Sequence, residues 1–106
     1  MNFRGGMGEL MRQASRMQRK VEQRREELRA ETFQAGAGND KVTAIANGAP
    51  ELLEVRIDKS LLEQEDLEMV QDLVVAAANA ALSRAREHVD EEIDKITGGL
   101  AIPGLG

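Results

Sequence analysis

Residues 66–97 read DLEMVQDLVVAAANAALSRAREHVDEEIDKIT. Within them Leu67, Val70, Val74, Ala78, Leu82, Ala85, Val89, Ile93 and Ile96 recur in steps of three and four, the spacing of one face of an α-helix. Glu65 and Asp66 suit the positive end of a helix dipole, and Gly98-Gly99 stops the pattern. At the helical rise such a helix is roughly 48 Å long, whereas a compact domain of this size is roughly 34 Å across. It must project as an arm or lie against a second chain. Its middle, AAANAA at 76–81, is nearly all small side chains, so another backbone can come close and a sheet is expected there.

Upstream, LLEVRI at 52–57 alternates, with Leu53, Val55 and Ile57 on one face and Glu54 and Arg56 on the other. KVTAIA at 41–46 holds the β-branched Val42, Thr43 and Ile45 and is followed by Asn47-Gly48, a hairpin dipeptide, with Pro50 close behind. Thr32–Gln34 starts a short strand before the turn-forming cluster Gly36–Asp40. These segments predict an antiparallel meander of two or three strands. Asp58 or Ser60 caps a helical turn carrying Leu61 and Leu62.

A further helix is expected from about Gly8 to Ala30, where Met7, Leu10, Ala14, Met17, Val21 and Leu28 form a narrow apolar seam broken at Arg24. The fold class is therefore α+β: a long N-terminal helix, a small antiparallel sheet, a short helix and a long C-terminal helix. Residues 1–106 form one domain, with 1–8 and 98–106 as loose ends. Ile45, Leu53, Val55, Ile57, Val74 and Leu82 are the expected core. Met7, Met11 and Met17 are expected to pack in the arm seam, and Asn79 is a candidate register-setting polar contact.

Composition narrows the function. The chain has 106 residues, two Phe and no Trp or Tyr, so it lacks the side chains that bury most area each. Association with a second copy is expected. There is no Cys, which excludes disulfide, thiolate and zinc-ribbon chemistry. No apolar run is long enough to span a membrane and the N-terminus does not read as a signal peptide, so a cytoplasmic protein is expected. The single histidine, His88, reads as a surface or seam residue. The carboxylates Asp90, Glu91, Glu92 and Asp94 are spread around a helix axis rather than gathered for a metal. Gly5, Gly6 and Gly8 are followed by no GK[ST] phosphate loop. No nucleophile–base pair can be assembled. A non-enzyme without cofactor, metal or small-molecule substrate is expected.

The net charge of −5 is unevenly shared: residues 1–30 carry +4 and residues 31–106 carry −9. On the first helix Arg12, Arg16, Arg19 and Lys20 fall on one arc roughly opposite the apolar seam. Arg24 continues that row toward the seam, and Arg25 and Arg29 lie on its other flank. Four like-charge i,i+4 pairs result, each destabilising a lone helix by about 0.2–0.5 kcal/mol. Three things could offset that: the phosphates of a nucleic acid, the acidic end of the last helix (Glu87, Asp90, Glu91, Glu92, Asp94), or plain solvation. No aromatic residue interleaves with the basic ones, which disfavours a single-strand stacking platform. Arg84 and Arg86 are weaker candidates, since acidic residues surround them.

The segments GGMGELMRQASRMQ at 5–18, KVTAIANG at 41–48, VRIDKSLL at 55–62, DLEMVQDLVVAAANAAL at 66–82 and the GGL at 98–100 together resemble the YbaB/EbfC family of bacterial nucleoid-associated DNA-binding proteins. The resemblance spans nearly the whole chain in order, with Lys59 where many members carry Pro. It implies a homodimer with a shared sheet and helical arms projecting like tweezers. It also implies binding to double-stranded DNA with little sequence preference, in the service of chromosome organisation and transcription. Arg12, Arg16, Arg19, Lys20 and Arg24 are then the expected DNA contacts. The rival expectation is a dimeric clamp for a partner protein, its basic helix paired with the acidic one; a holdase-like chaperone with Met-rich arms is a third.

Overall fold

The computed structural model describes residues 3–99. Six elements follow in order: α1 (Phe3–Arg29), β1 (Thr32–Ala37), β2 (Val42–Asn47), β3 (Leu52–Ile57), α2 (Lys59–Gln64) and α3 (Leu67–Thr97). The helix expected to begin near Gly8 begins at Phe3, running through Gly5, Gly6 and Gly8. Beyond Gly99, the expected loose tail lies outside the described residues. The radius of gyration is 20.3 Å and the longest extent 76 Å against 19 and 18 Å in the other two directions. A compact chain of this length would have a radius near 13 Å, so the helices do project.

The sheet is a three-stranded antiparallel meander in the order β1-β2-β3. Although β1 has the weakest strand signal, it pairs along its whole length, from Thr32 opposite Asn47 to Ala37 opposite Val42. Asn47 closes the β2–β3 turn: its Oδ1 accepts from the N–H groups of Ala49 and Glu51. Asp58 caps α2 by accepting from the Ser60 N–H, and Asp66 caps α3 by accepting from the Met69 N–H. Gly98 ends α3 in the left-handed region at φ 63, a conformation that favours glycine.

The core is built from small residues. Val42, Ala44 and Ala46 of β2 alternate inward and are fully buried. They face α3, where Ala77, Ala81 and Ala85 are also fully buried. Val74 and Leu82, expected in the core, are half-buried beside this alanine line, as is Val55. The remaining core expectations need correction. Ile45 alternates to the other face of β2 and is only half-buried. A register shift between Ile45 and Ala46 sets Ala46 opposite Leu52 and takes Leu53 out of the pairing, leaving it exposed. Ile57, at the end of the edge strand β3, is also exposed. The helix turns its methyl groups, not its branched side chains, to the sheet because only those allow the close approach that alanine-lined β2 requires.

Candidate nucleic-acid interface

α1 has two unlike halves. Toward its C-terminus Val21 and Leu28 are fully buried against α3, where Val89 and Thr97 are buried too. Toward its N-terminus, residues 9–16 are exposed throughout. Met7, Leu10 and Met11, expected to pack in a seam, are more than 60% exposed, and only Met17 is half-buried.

The basic residues divide along the same line. Arg12 and Arg16 both reach Glu9 on their own helix, at 3.1 and 3.4 Å, on the exposed surface. Such contacts are weak and leave the guanidinium edges open to other anions. Arg19 and Lys20 make no ion pair among the described residues. Met11, Arg12, Ser15, Arg16 and Arg19 line a shallow, open depression of about 350 Å3 along the outer arm. Three of the five expected contact residues, Arg12, Arg16 and Arg19, are thus together along the outer arm, and Lys20 is exposed next to Arg19.

Arg24 is placed differently. Its guanidinium donates to Glu92 on α3 at 2.5 Å and to Glu27 at 3.2 Å, and lies 3.7 Å from Glu31. These carboxylates, Glu92 foremost, raise its pKa. Glu92 also accepts from Lys95, and the two cations, Lys95 first and Arg24 second, hold its carboxyl down at about 2. Of the acidic cluster expected to pair with α1, only Glu92 does so within ion-pair distance among the described residues. Arg29 reaches only Glu26 at 3.9 Å, and Arg84 donates to the Gln34 carbonyl. His88 is half-buried, 5.2 Å from the Phe33 ring centre and 3.7 Å from Glu31. Asn79 is exposed. Which acid would pair with which base was not readable from the helical wheel, because it depends on how α1 and α3 slide past one another.

A family model described as the YbaB/EbfC DNA-binding family matches residues 3–100. The chain belongs to the YbaB/EbfC DNA-binding family. This is a family of DNA-binding proteins and not of enzymes. Curated relatives match over nine-tenths or more of the chain. A nucleoid-associated protein of Acetivibrio thermocellus is 46% identical over 104 residues, covering 97% of this chain and 92% of the relative. One of Myxococcus xanthus is 42% identical over 95 residues, covering 90% of each. Among solved structures, an uncharacterised Helicobacter pylori protein is similar with a TM-score of 0.60 at 25% identity, over 82% of this chain and 96% of that one. No helix among the described residues is long and apolar enough to cross a membrane.

Proposed function

We propose that the chain is a cytoplasmic, nucleoid-associated protein that binds double-stranded DNA with little sequence preference, acting as a homodimer in chromosome organisation and the tuning of transcription. The observation that carries this reading is the outer half of α1. There Arg12, Arg16 and Arg19 line an open depression, and they and Lys20 are all exposed. Guanidinium and ammonium groups so placed displace the counterions condensed on a duplex, and that release drives binding without reading bases. Arg24 supports the same surface indirectly, by tying α1 to Glu92 of α3.

The homodimer is supported by what the single chain leaves open. β3 is an edge strand with an unpaired side. Leu52, Leu53 and Ile57 on it, Leu62 of α2, and Leu67, Met69 and Val75 of α3 are all at least 38% exposed. An open edge beside that much apolar surface is otherwise an aggregation hazard. Pairing with a second copy there would cover it and duplicate the basic arm. Mass in solution should be twice 11.6 kDa, and Leu53→Glu combined with Leu62→Glu should yield a helical monomer.

The direct test is fluorescence anisotropy of a labelled duplex across a salt series. Expected are near-equal affinities for unrelated sequences and a steep loss with salt, the slope counting phosphate contacts at about 0.9 per phosphate. No binding at low salt would sink the reading in favour of the protein clamp, for which the Arg24–Glu92 pairing of basic and acidic helices is the one favouring observation.

A further inference from the structure

A second concave surface lies at the root of the arm, where α1, the β2–β3 turn and α3 meet. It is a cleft of about 210 Å3 with Arg25, Gly48, Ala49, Arg86 and Asp90 on its walls. Its shape follows from Gly48. A Cβ at this position would stand 2.1 Å from the Leu28 carbonyl oxygen. Only glycine lets the turn press this closely on the last turn of α1. Leu28 is fully buried at that contact, and Arg25, three residues earlier, comes up beside the turn. On α3, Arg86 follows the fully buried Ala85 and closes the other side.

Neither guanidinium makes an ion pair among the described residues, whereas Arg12, Arg16, Arg24, Arg29 and Arg56 all do. Asp90 sits one helical turn beyond Arg86 on the cleft wall but comes within 4.0 Å of neither. The fold therefore brings two arginines from different helices to one hollow and leaves a net positive charge there. Rigid guanidinium forks match the oxygens of a phosphate group through two parallel N–H···O bonds.

We propose that Arg25 and Arg86 form a clamp for one backbone phosphate of duplex DNA, separate from the Arg12–Lys20 surface. This rests on the duplex-binding reading above and extends it. At 100° per residue Arg25 lies across the helix from Arg12, Arg16 and Arg19. The clamp and the outer arm thus meet different phosphates. Asp90 opposes the bound anion.

The test uses the full chain with Arg25→Ala/Arg86→Ala and, separately, Asp90→Asn, in duplex titrations by anisotropy and by amide NMR. The double variant should keep its dimer mass and melting temperature, since it breaks no ion pair. It should bind duplex about fivefold more weakly, with the salt slope shallower by about 0.9 for each clamp of the dimer that meets the duplex. Asp90→Asn should bind about twofold more tightly. The Gly48 and Ala49 amides should shift with duplex in the parent chain and stay still in the double variant. A parent chain that binds duplex while these amides stay still, with unaltered slope in the double variant, overturns the clamp but not the function. A parent chain that binds no duplex overturns the function itself. Shifts at Gly48 and Ala49 produced by inorganic phosphate but not by duplex would make the cleft a free-anion site and overturn the assignment to DNA.

Discussion

The two halves of α1 are built from similar residues and behave as different materials. The inner half buries Val21 and Leu28 completely and ties Arg24 to Glu92. The outer half buries nothing between residues 9 and 16, and its arginines reach only a neighbouring glutamate on the same helix. The difference comes from what stands opposite, not from the helix. Where α3 presents Glu92, Arg24 is neutralised and becomes part of the scaffold. Elsewhere the basic charge remains available to a ligand.

Removing a leucine from each half, one buried and one exposed, should show the largest contrast. Leu28→Ala should destabilise the fold by about 2–5 kcal/mol, because its site is fully enclosed. Leu10→Ala should change stability by no more than about 0.5 kcal/mol. Urea unfolding measures both; equal costs would mean that the outer half is covered in solution, which would erase the distinction. Charge removal should give the opposite contrast. Changing Arg12, Arg16, Arg19 and Lys20 together to alanine should weaken duplex binding on the order of a hundredfold with helicity and mass intact. Arg24→Ala should lower the melting temperature and leave the salt slope of binding almost unaltered. If the fourfold variant unfolds, its cations belong to the scaffold after all.

Acid should sharpen the comparison by the smallest amount. Glu92 is held at about 2, chiefly by Lys95 and then Arg24, against an ordinary value of 4.5. A depressed carboxyl stabilises the folded state above its unfolded value, and that contribution fades as the pH falls from about 4.5 toward 2. Hydrogen-exchange protection around Val21 and Arg24 should decline over that window. Residues 9–16 should exchange at a rate that follows the intrinsic pH dependence alone. In Glu92→Gln the decline at Val21 should be absent.

Much of the architecture was legible in the chain. Three- and four-residue spacing marked both long helices, Asn47-Gly48 marked one turn, the cluster Gly36–Asp40 marked the other, two residues early, since Gly36 and Ala37 still pair in β1, and the excess length of α3 foretold the elongated shape. The core residues were less so. Large aliphatic positions were the natural choice, yet the closest packing falls on Ala44, Ala46, Ala77, Ala81 and Ala85, because burial depends on which face approaches nearest. Leu53 was misplaced because a one-residue register shift in β3 leaves no mark on its alternating pattern. For the candidate site, the helical wheel put Arg12, Arg16, Arg19 and Lys20 on one arc, and the structure leaves all four exposed, with the three arginines along one depression. The wheel could not separate Arg24 from them, since that depends on the position of Glu92, 68 residues away. Nor did it single out Arg25 with Arg86, which only the folded turn at Gly48 brings together.

The alanine contact between β2 and α3 also leaves no slack in the spacing of helix and sheet on which the aim of the arm depends. α1 is 27 residues long, roughly 40 Å. A tilt of about 5° at its root would carry its tip sideways by roughly 3.5 Å, close to the 3.4 Å advance of each DNA strand per base. One added methylene among Ala77, Ala81 or Ala85 could thus move the arm's grip by a whole phosphate. In this protein the smallest side chains set the gauge of the tool.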